Sequence, residues 1–228
     1  MLNMSEKPTI IFDMDGTLLD LAYDDQIWNH LLPERYSQIH QCSLEQSKST
    51  LAEFYQEHNH TLKWYSSSFW TSKIGVDVLA LQIEFQHKVA LRDGCLELLD
   101  YLKENRYPCW LATNADLAGL KFKLEITGLA QYFDVIVSSE SFGHSKEFPE
   151  FWQKLNTQHP FNADQVFFVD DTEKVLQGAQ NYGIQNLVTI QQPSSMGNIR
   201  QHSAHPMLNR LTDLIPLIEQ IEGNKKYA

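Results

Sequence analysis

The sequence predicts an α/β fold, a parallel-sheet core interrupted after its first strand by an inserted α-helical cap. Three observations predict it. Thr9, Ile10, Ile11 and Phe12 form a short apolar, β-branched run that suits a strand covered on both faces. From Asp20 to about Ala90 the pattern is helical, and no strand signal interrupts it. From Asp93 onward helical and strand patterns alternate, as in a parallel sheet with right-handed crossovers. The expected boundaries place 1–20 and 91–228 in the core and 21–90 in the cap.

Within the insertion, Tyr23 to Leu32 suits one helix that ends before Pro33. Ser43 and Gln46 make a capping-box pattern ahead of a helix with Leu44, Ser47, Leu51, Phe54 and His58 on one face. A third helix is expected from about Thr61 to Ile74, closed by Gly75, and a fourth carries Val78, Leu81, Phe85 and Val89. In the core, Cys95, Leu98, Leu99 and Leu102 stripe a helix, and the strand Tyr107 to Ala112 leads into Thr113-Asn114. Leu117, Leu120 and Leu124 stripe the next helix, stopped by Gly128. A strand from Asp134 to Ser138 follows, then a loop from Ser139 to Ser145 and a helix from about Phe148 to Thr157. Val166 to Val169 reads as a strand ending in Asp170-Asp171, with Leu176, Ala179 and Tyr182 on the helix after it and Asn186 to Ile190 as the last strand. Beyond Gln191, prolines 193, 206 and 216 break the pattern; Leu211, Leu214, Ile215 and Ile218 suit a short amphipathic helix, and Gly223 to Ala228 is expected to fray.

Charge and cysteine content narrow the function. Eighteen basic against twenty-nine acidic residues give a net charge of -11, which argues against nucleic acid or an anionic membrane as the partner. An anionic substrate would need a metal or a local basic group. Cys42, Cys95 and Cys109 are scattered and lack Cys-x-x-Cys spacing, so reduced thiols are expected. The polar N-terminus lacks a signal-peptide core, and no apolar run approaches the roughly 18 residues of a membrane span, so a cytoplasmic location is expected.

The chemically suggestive residues fall at strand ends, where an open parallel sheet places its ligand site. Asp13 and Asp15 follow the first strand, two apart on extended chain and so expected to point the same way. Gly16 lets the backbone turn, and Thr17 offers a hydroxyl beside it. Two close carboxylates call for a cation between them or for one acid kept protonated, and Mg²⁺ suits such hard oxygen ligands. Thr113 and Asn114 end the second strand, Asp170 and Asp171 the fourth, and Lys146 returns toward the same edge after the third.

The Asp-x-Asp-Gly-Thr signature, followed in order by the hydroxyl, the lysine and the final acid pair, resembles the haloacid dehalogenase superfamily of phosphatases and phosphotransferases over about Pro8 to Ile190. The resemblance implies a Rossmann-like core, the helical cap and Mg²⁺ as cofactor. It implies Asp13 as the nucleophile that forms an aspartyl phosphate, and Asp15 as general acid and base, its main-chain carbonyl also binding the metal. Asp171 would hold the metal, while Asp170 either joins it or orients its waters. Thr113 and Asn114, at a helix N-terminus, would donate to the phosphoryl oxygens, and Lys146 would neutralise their charge. Many relatives carry an acid where this chain has Val175 and a proline where it has Glu147. Dehalogenase members lack the second aspartate, so Asp15 favours phosphate chemistry.

Response-regulator receivers also combine an acid pair, a phosphorylated aspartate, a hydroxyl and a lysine, but they place the pair first, whereas here it comes last. A sugar-phosphate phosphatase or a phosphomutase of the same superfamily would share every motif. The segments His60 to Tyr65, Leu124 to Leu129, Ser141 to Glu147 and His205 to Asn209 are similar to the bacterial GMP/IMP nucleotidase branch. That similarity implies a small phosphate ester as partner, a purine nucleoside monophosphate. Trp64, Tyr65, Phe69 and Trp70 are the cap aromatics expected near it, with Trp64 and Tyr65 facing the base and most of the stripe packing the cap's own core. His144, close to Lys146, is expected to be an exposed loop histidine.

Overall fold

In the computed structural model, which describes residues 7–59 and 61–225, six strands form one parallel sheet. They are β1 (Thr9–Phe12), β2 (Cys109–Thr113), β3 (Val135–Ser138), β4 (Val166–Val169), β5 (Asn186–Ile190) and β6 (Met207–Leu208), in the order β3-β2-β1-β4-β5-β6. The first strand is therefore central. Phe12 pairs with Leu111 of β2 and Val169 of β4, so the chain leaves all three strands at one edge, and the residues after β1 and β4 meet there.

Alternation along each strand fills two apolar layers. Ile10, Phe12, Leu111, Phe167, Val169 and Val188 pack with Leu98, Leu99, Leu102 and Leu214 on one face. Ile11, Trp110, Phe168 and Leu187 pack with Phe151, Trp152, Leu155 and Leu176 on the other. Each fully buried side chain of this kind contributes about 1.5–3 kcal/mol relative to exposure, which anchors the strands and hence the groups at their ends.

Between β1 and the helix Cys95–Glu104 the chain builds the helical insertion. Its entry and exit run side by side: the Asp20 N–H donates to the Ala90 carbonyl and the Arg92 N–H to that of Leu18, each at 2.9 Å. Inside, Leu32, Leu51, Ile74, Val78 and Leu81 pack around fully buried Trp70, whose ring meets Trp28, Tyr55 and Trp64 edge-on at centroid distances of 5.2–6.2 Å. The capping box forms as expected, with the Ser43 side chain accepting from the Gln46 N–H and the Gln46 side chain from the Ser43 N–H.

Several elements differ from expectation. Pro33 does not end the first cap helix; Ala22–Gln26 passes through a π-helical turn, Ile27–Leu31, into Leu32–His40. Pro33 follows the π-helical turn directly, as the second residue of Leu32–His40. The segment expected as one helix from Thr61 to Ile74 is a 3-10 turn, Leu62–Tyr65, and a helix, Ser67–Ile74, because the Ser66 hydroxyl caps a new start by accepting from the Phe69 N–H. The loop after β3 contains one helical turn, Ser139–Phe142. Beyond β5 the chain adds β6 and then a helix, Leu214–Lys225, with Pro216 in its first turn. Gly223 lies in that helix, while residues 226–228 of the segment expected to fray, the residues before Lys7 and His60 lie outside the described residues. Among the described residues no helix is long and apolar enough to cross a membrane. The three cysteines are free, and burial pushes the Cys95 thiol up to about 12.

Candidate active site

Sheet register brings the acid groups together. The Asp13 N–H donates to the Val169 carbonyl at 2.9 Å, which extends the β1–β4 ladder by one residue and sets Asp13 beside Asp170. Asp13, Asp170 and Asp171 can each bring a carboxylate oxygen within 4.8 Å of the others. The turn after Asp15 requires Gly16, which has φ of 85° and a position where an added Cβ would lie 2.6 Å from an Asp171 carboxylate oxygen. Asp170 and Asp171 are fastened from behind: Thr189 Oγ1 donates to the Asp170 carbonyl at 2.9 Å and Arg200 Nη2 to that of Asp171 at 2.8 Å.

Lys146 lies fully buried among these acids. Its Nζ donates to Asp13 Oδ1 at 2.5 Å, to Asp170 Oδ2 at 2.7 Å and to the Ala112 carbonyl at 2.9 Å. Burial lowers the lysine's pKa, but Asp13 and Asp170 outweigh it and hold the ammonium well above its ordinary value. Burial also raises the Asp13 carboxyl; Lys146 opposes that shift, while Asp170, Asp171 and Asp15 add to it. Asp171 is pushed up to about 7 by burial and then by the Asp170 charge, against Lys146 and Arg200. Three acids whose ionised forms are disfavoured, each offering a hard carboxylate oxygen to the same point, fit a divalent cation.

Thr113 and Asn114 lie beside this group, but not at a helix N-terminus. The helix begins at Leu117 and is capped by Asp116, whose Oδ1 accepts from the Gly119 N–H at 2.8 Å. Thr113 Oγ1 accepts from the Ala115 N–H at 3.0 Å, which leaves its hydroxyl hydrogen to donate. The Asn114 amide is engaged in shaping the site: Oδ1 accepts from the Lys146 N–H at 3.0 Å and Nδ2 donates to Glu147 Oε2 at 2.9 Å. Glu147, where a proline was the pattern, also accepts from the Tyr65 hydroxyl at 2.7 Å and so links core to insertion.

Asp15 does not join the three-carboxylate group. Its Oδ1 accepts from Lys123 Nζ at 2.7 Å, so Asp13 and Asp15, two apart, face different ammonium groups. Thr17 is fully buried, and no partner of its hydroxyl is found among the described residues. His144 is half-buried.

Asp13, Asp170, Asp171 and Lys146 line a cavity of about 430 Å³ together with the insertion residues Trp28, Tyr55, Trp64 and Tyr65. Trp28, Tyr55, Lys123 and Gly178 were not singled out in the sequence. Lys123 has a signal there: it lies three residues after Leu120, on the side of the helix that packs inward. Gly178 has one too, as a glycine inside a helical pattern; an added Cβ would stand 2.6 Å from the main-chain oxygens of Lys146 and Glu147.

Residues 10–189 match the family model described as haloacid dehalogenase-like hydrolase. The chain is 33% identical over 208 residues to the GMP/IMP nucleotidase YrfG of Escherichia coli K12, which spans 91% of this chain and 94% of that protein. It is 22% identical to the pyrophosphatase PpaX of Bacillus mycoides over 94% of this chain and 98% of that one. Among solved structures, a HAD phosphatase from Thermococcus onnurineus superposes with a TM-score of 0.79 at 19% identity, over 92% of this chain and 97% of that one. With a model that spans most of its length and a relative above 30% identity, the chain belongs to the haloacid dehalogenase-like hydrolase family.

Proposed function

We propose that this hydrolase is a Mg²⁺-dependent 5'-nucleotidase that cleaves purine nucleoside monophosphates, GMP and IMP, through an aspartyl phosphate on Asp13. The observation that carries the reading is one cavity whose lining combines Asp13 and Lys146 with the insertion aromatics Trp28, Tyr55, Trp64 and Tyr65. The similarity to a GMP/IMP nucleotidase over nearly the whole chain supports the choice of base.

Asp13 attacks phosphorus in line with the departing ribose 5'-oxygen, and the P–O bond to the ribose breaks as the bond to Asp13 forms. Asp15 gives that oxygen its proton and later takes one from the water that cleaves the aspartyl phosphate. Lys146, already against Asp13 Oδ1, and the Thr113 hydroxyl donate to the phosphoryl oxygens as charge spreads over them. Asn114 keeps the Lys146 loop in place through the Lys146 N–H. Asp13, Asp170, Asp171 and the Asp15 main-chain carbonyl would hold Mg²⁺, which supplies charge neutralisation at the phosphoryl group when bound. Trp64 and Tyr65 would stack on the purine; Trp70, at the centre of the cap core, would not.

Phosphate release from GMP, IMP, pyrimidine monophosphates and hexose phosphates, with and without Mg²⁺, tests the reading. GMP and IMP should lead, and chelation should abolish turnover. A clear preference for hexose phosphates would sink the nucleotidase assignment and point to a sugar-phosphate phosphatase or phosphomutase.

A further inference from the structure

A second buried lysine lines the cavity, and the reaction as described gives it no role. Lys123 Nζ donates to Asp15 Oδ1 at 2.7 Å and to both carboxylate oxygens of Asp24 at 2.9 Å. Asp15 belongs to the turn after β1, Lys123 to the core helix Leu117–Thr127, and Asp24 to the first helix of the insertion, Ala22–Gln26. One ammonium therefore joins a candidate catalytic carboxylate to the cap. The Tyr23 ring stands 5.4 Å from the same ammonium and packs against Phe122 at 6.5 Å. The helix that carries Lys123 is tied to the cap a second time at its start, where Asp116 Oδ2 accepts from the Ser67 N–H at 2.6 Å and from the Ser67 hydroxyl at 2.5 Å.

Resting on the acid role proposed for Asp15, we infer that Lys123 is a positioning residue: it turns the Asp15 carboxylate away from the Asp13, Asp170 and Asp171 group, toward the leaving oxygen, and makes that direction depend on a seated cap. The physical reason is competition for a cation. A free carboxylate two residues from Asp13 would be drawn to a metal held by its neighbours, where it could no longer exchange a proton with substrate. Lys123 offers it a cation on the other side. With the cap seated, Asp24 completes the contacts of the buried ammonium. With the cap lifted, Asp24 leaves with its helix, water reaches Lys123, and the hold on Asp15 weakens. Proton donation is thereby confined to the closed enzyme.

Single-turnover phosphorylation of the full chain with benzyl phosphate and p-nitrophenyl phosphate tests this independently of base specificity. A benzyl alkoxide needs a proton to leave, and p-nitrophenolate does not. Lys123→Met should slow the benzyl ester about 100-fold and p-nitrophenyl phosphate only a few-fold, since loss of a positioned acid costs roughly 10²–10⁴ in rate. Lys123→Arg should restore part of the difference, and Asp24→Asn should show a smaller selective loss. In chelator, without any turnover, small-angle scattering should give larger radii of gyration for Lys123→Met and Asp24→Asn than for wild type. Equal slowing on both esters, or unchanged radii, would overturn the inference. Asp15→Asn separates the two readings. If it shows the selective loss and Lys123→Met does not, the positioning role alone fails; if Asp15→Asn shows none, the acid assignment fails and takes this inference with it.

Discussion

Lys146 and Lys123 place the same chemistry, a buried ammonium between two carboxylates, in two mechanical settings. Side-chain exposure is 1% for Lys146 and 9% and 1% for its partners Asp13 and Asp170. It is 3% for Lys123, but 20% and 16% for Asp15 and Asp24. The Lys146 triad lies wholly within the sheet edge, and its main chain is fixed by the Trp152 indole, which donates to the Lys146 carbonyl at 2.9 Å, and by the close approach of Gly178. The Lys123 triad spans two bodies and is partly reached by water. The difference separates a group held entirely within the core, which under the proposed function receives the phosphoryl group, from one shared with the insertion, which under the same proposal holds the proton donor.

The largest expected effect comes from breaking the fixed member. Lys146→Met leaves Asp13 and Asp170 buried without their cation, and loss of one partner of such a pair costs about 3–5 kcal/mol. Chemical denaturation should show that loss, and turnover should fall by roughly 10²–10³ or more as a transition-state donor disappears. Lys123→Met should be milder in stability, because the partners it abandons can turn to water; equal losses at the two sites would erase the contrast.

Gly178→Ala is a smaller and more local test. Alanine is favoured over glycine in a helix by about 1 kcal/mol, yet here its Cβ meets main-chain oxygens of residues 146 and 147 at 2.6 Å, and overpacking of that kind costs about 1–3 kcal/mol. The overlap should win. Reduced kcat with KM little changed is expected, because Lys146 is displaced from Asp13 while Trp28, Tyr55 and Trp64 are not touched; a more stable and fully active variant would contradict the rigid setting assigned to Lys146.

The smallest effect is a pH slope. Asp171 is held up at about 7, above the ordinary carboxylate range, so between the two values the folded state of the metal-free protein binds more protons than the unfolded chain. Its contribution to stability is therefore complete at pH below the unfolded value and lost as pH rises through 7. In chelator the Tm should fall between pH 5 and pH 8 by about 5 °C, and Mg²⁺ should flatten that decline. A Tm in chelator that does not fall relative to the Mg²⁺ curve over that range would contradict the electrostatic account of the acid group.

The sheet and its acids were legible because both are local signals. An apolar run into Asp13 or Asp170 carries its meaning within a few residues, and the motif resemblance then supplied roles. The expected helix start near Thr113 was displaced by a better cap, Asp116, only three residues on. Pro33 does not end the helix either: the chain takes a π-helical turn, Ile27–Leu31, directly before the proline and continues beyond it. The inward position of Lys123 has a local signal, but its partners do not: Asp15 and Asp24 lie 108 and 99 residues away in sequence, and a lysine on a helix carries no local sign of whom it will meet. Gly178 acquires its meaning only when its helix packs against the loop that carries Lys146.

The most direct test of phosphoryl transfer to Asp13 is chemical trapping. Rapid quenching during GMP turnover, borohydride reduction of the acyl phosphate and peptide mapping should place homoserine at position 13 and nowhere else. Homoserine at 15, 170 or 171, or rapid phosphate release with no reducible acyl phosphate at any position, would contradict the account.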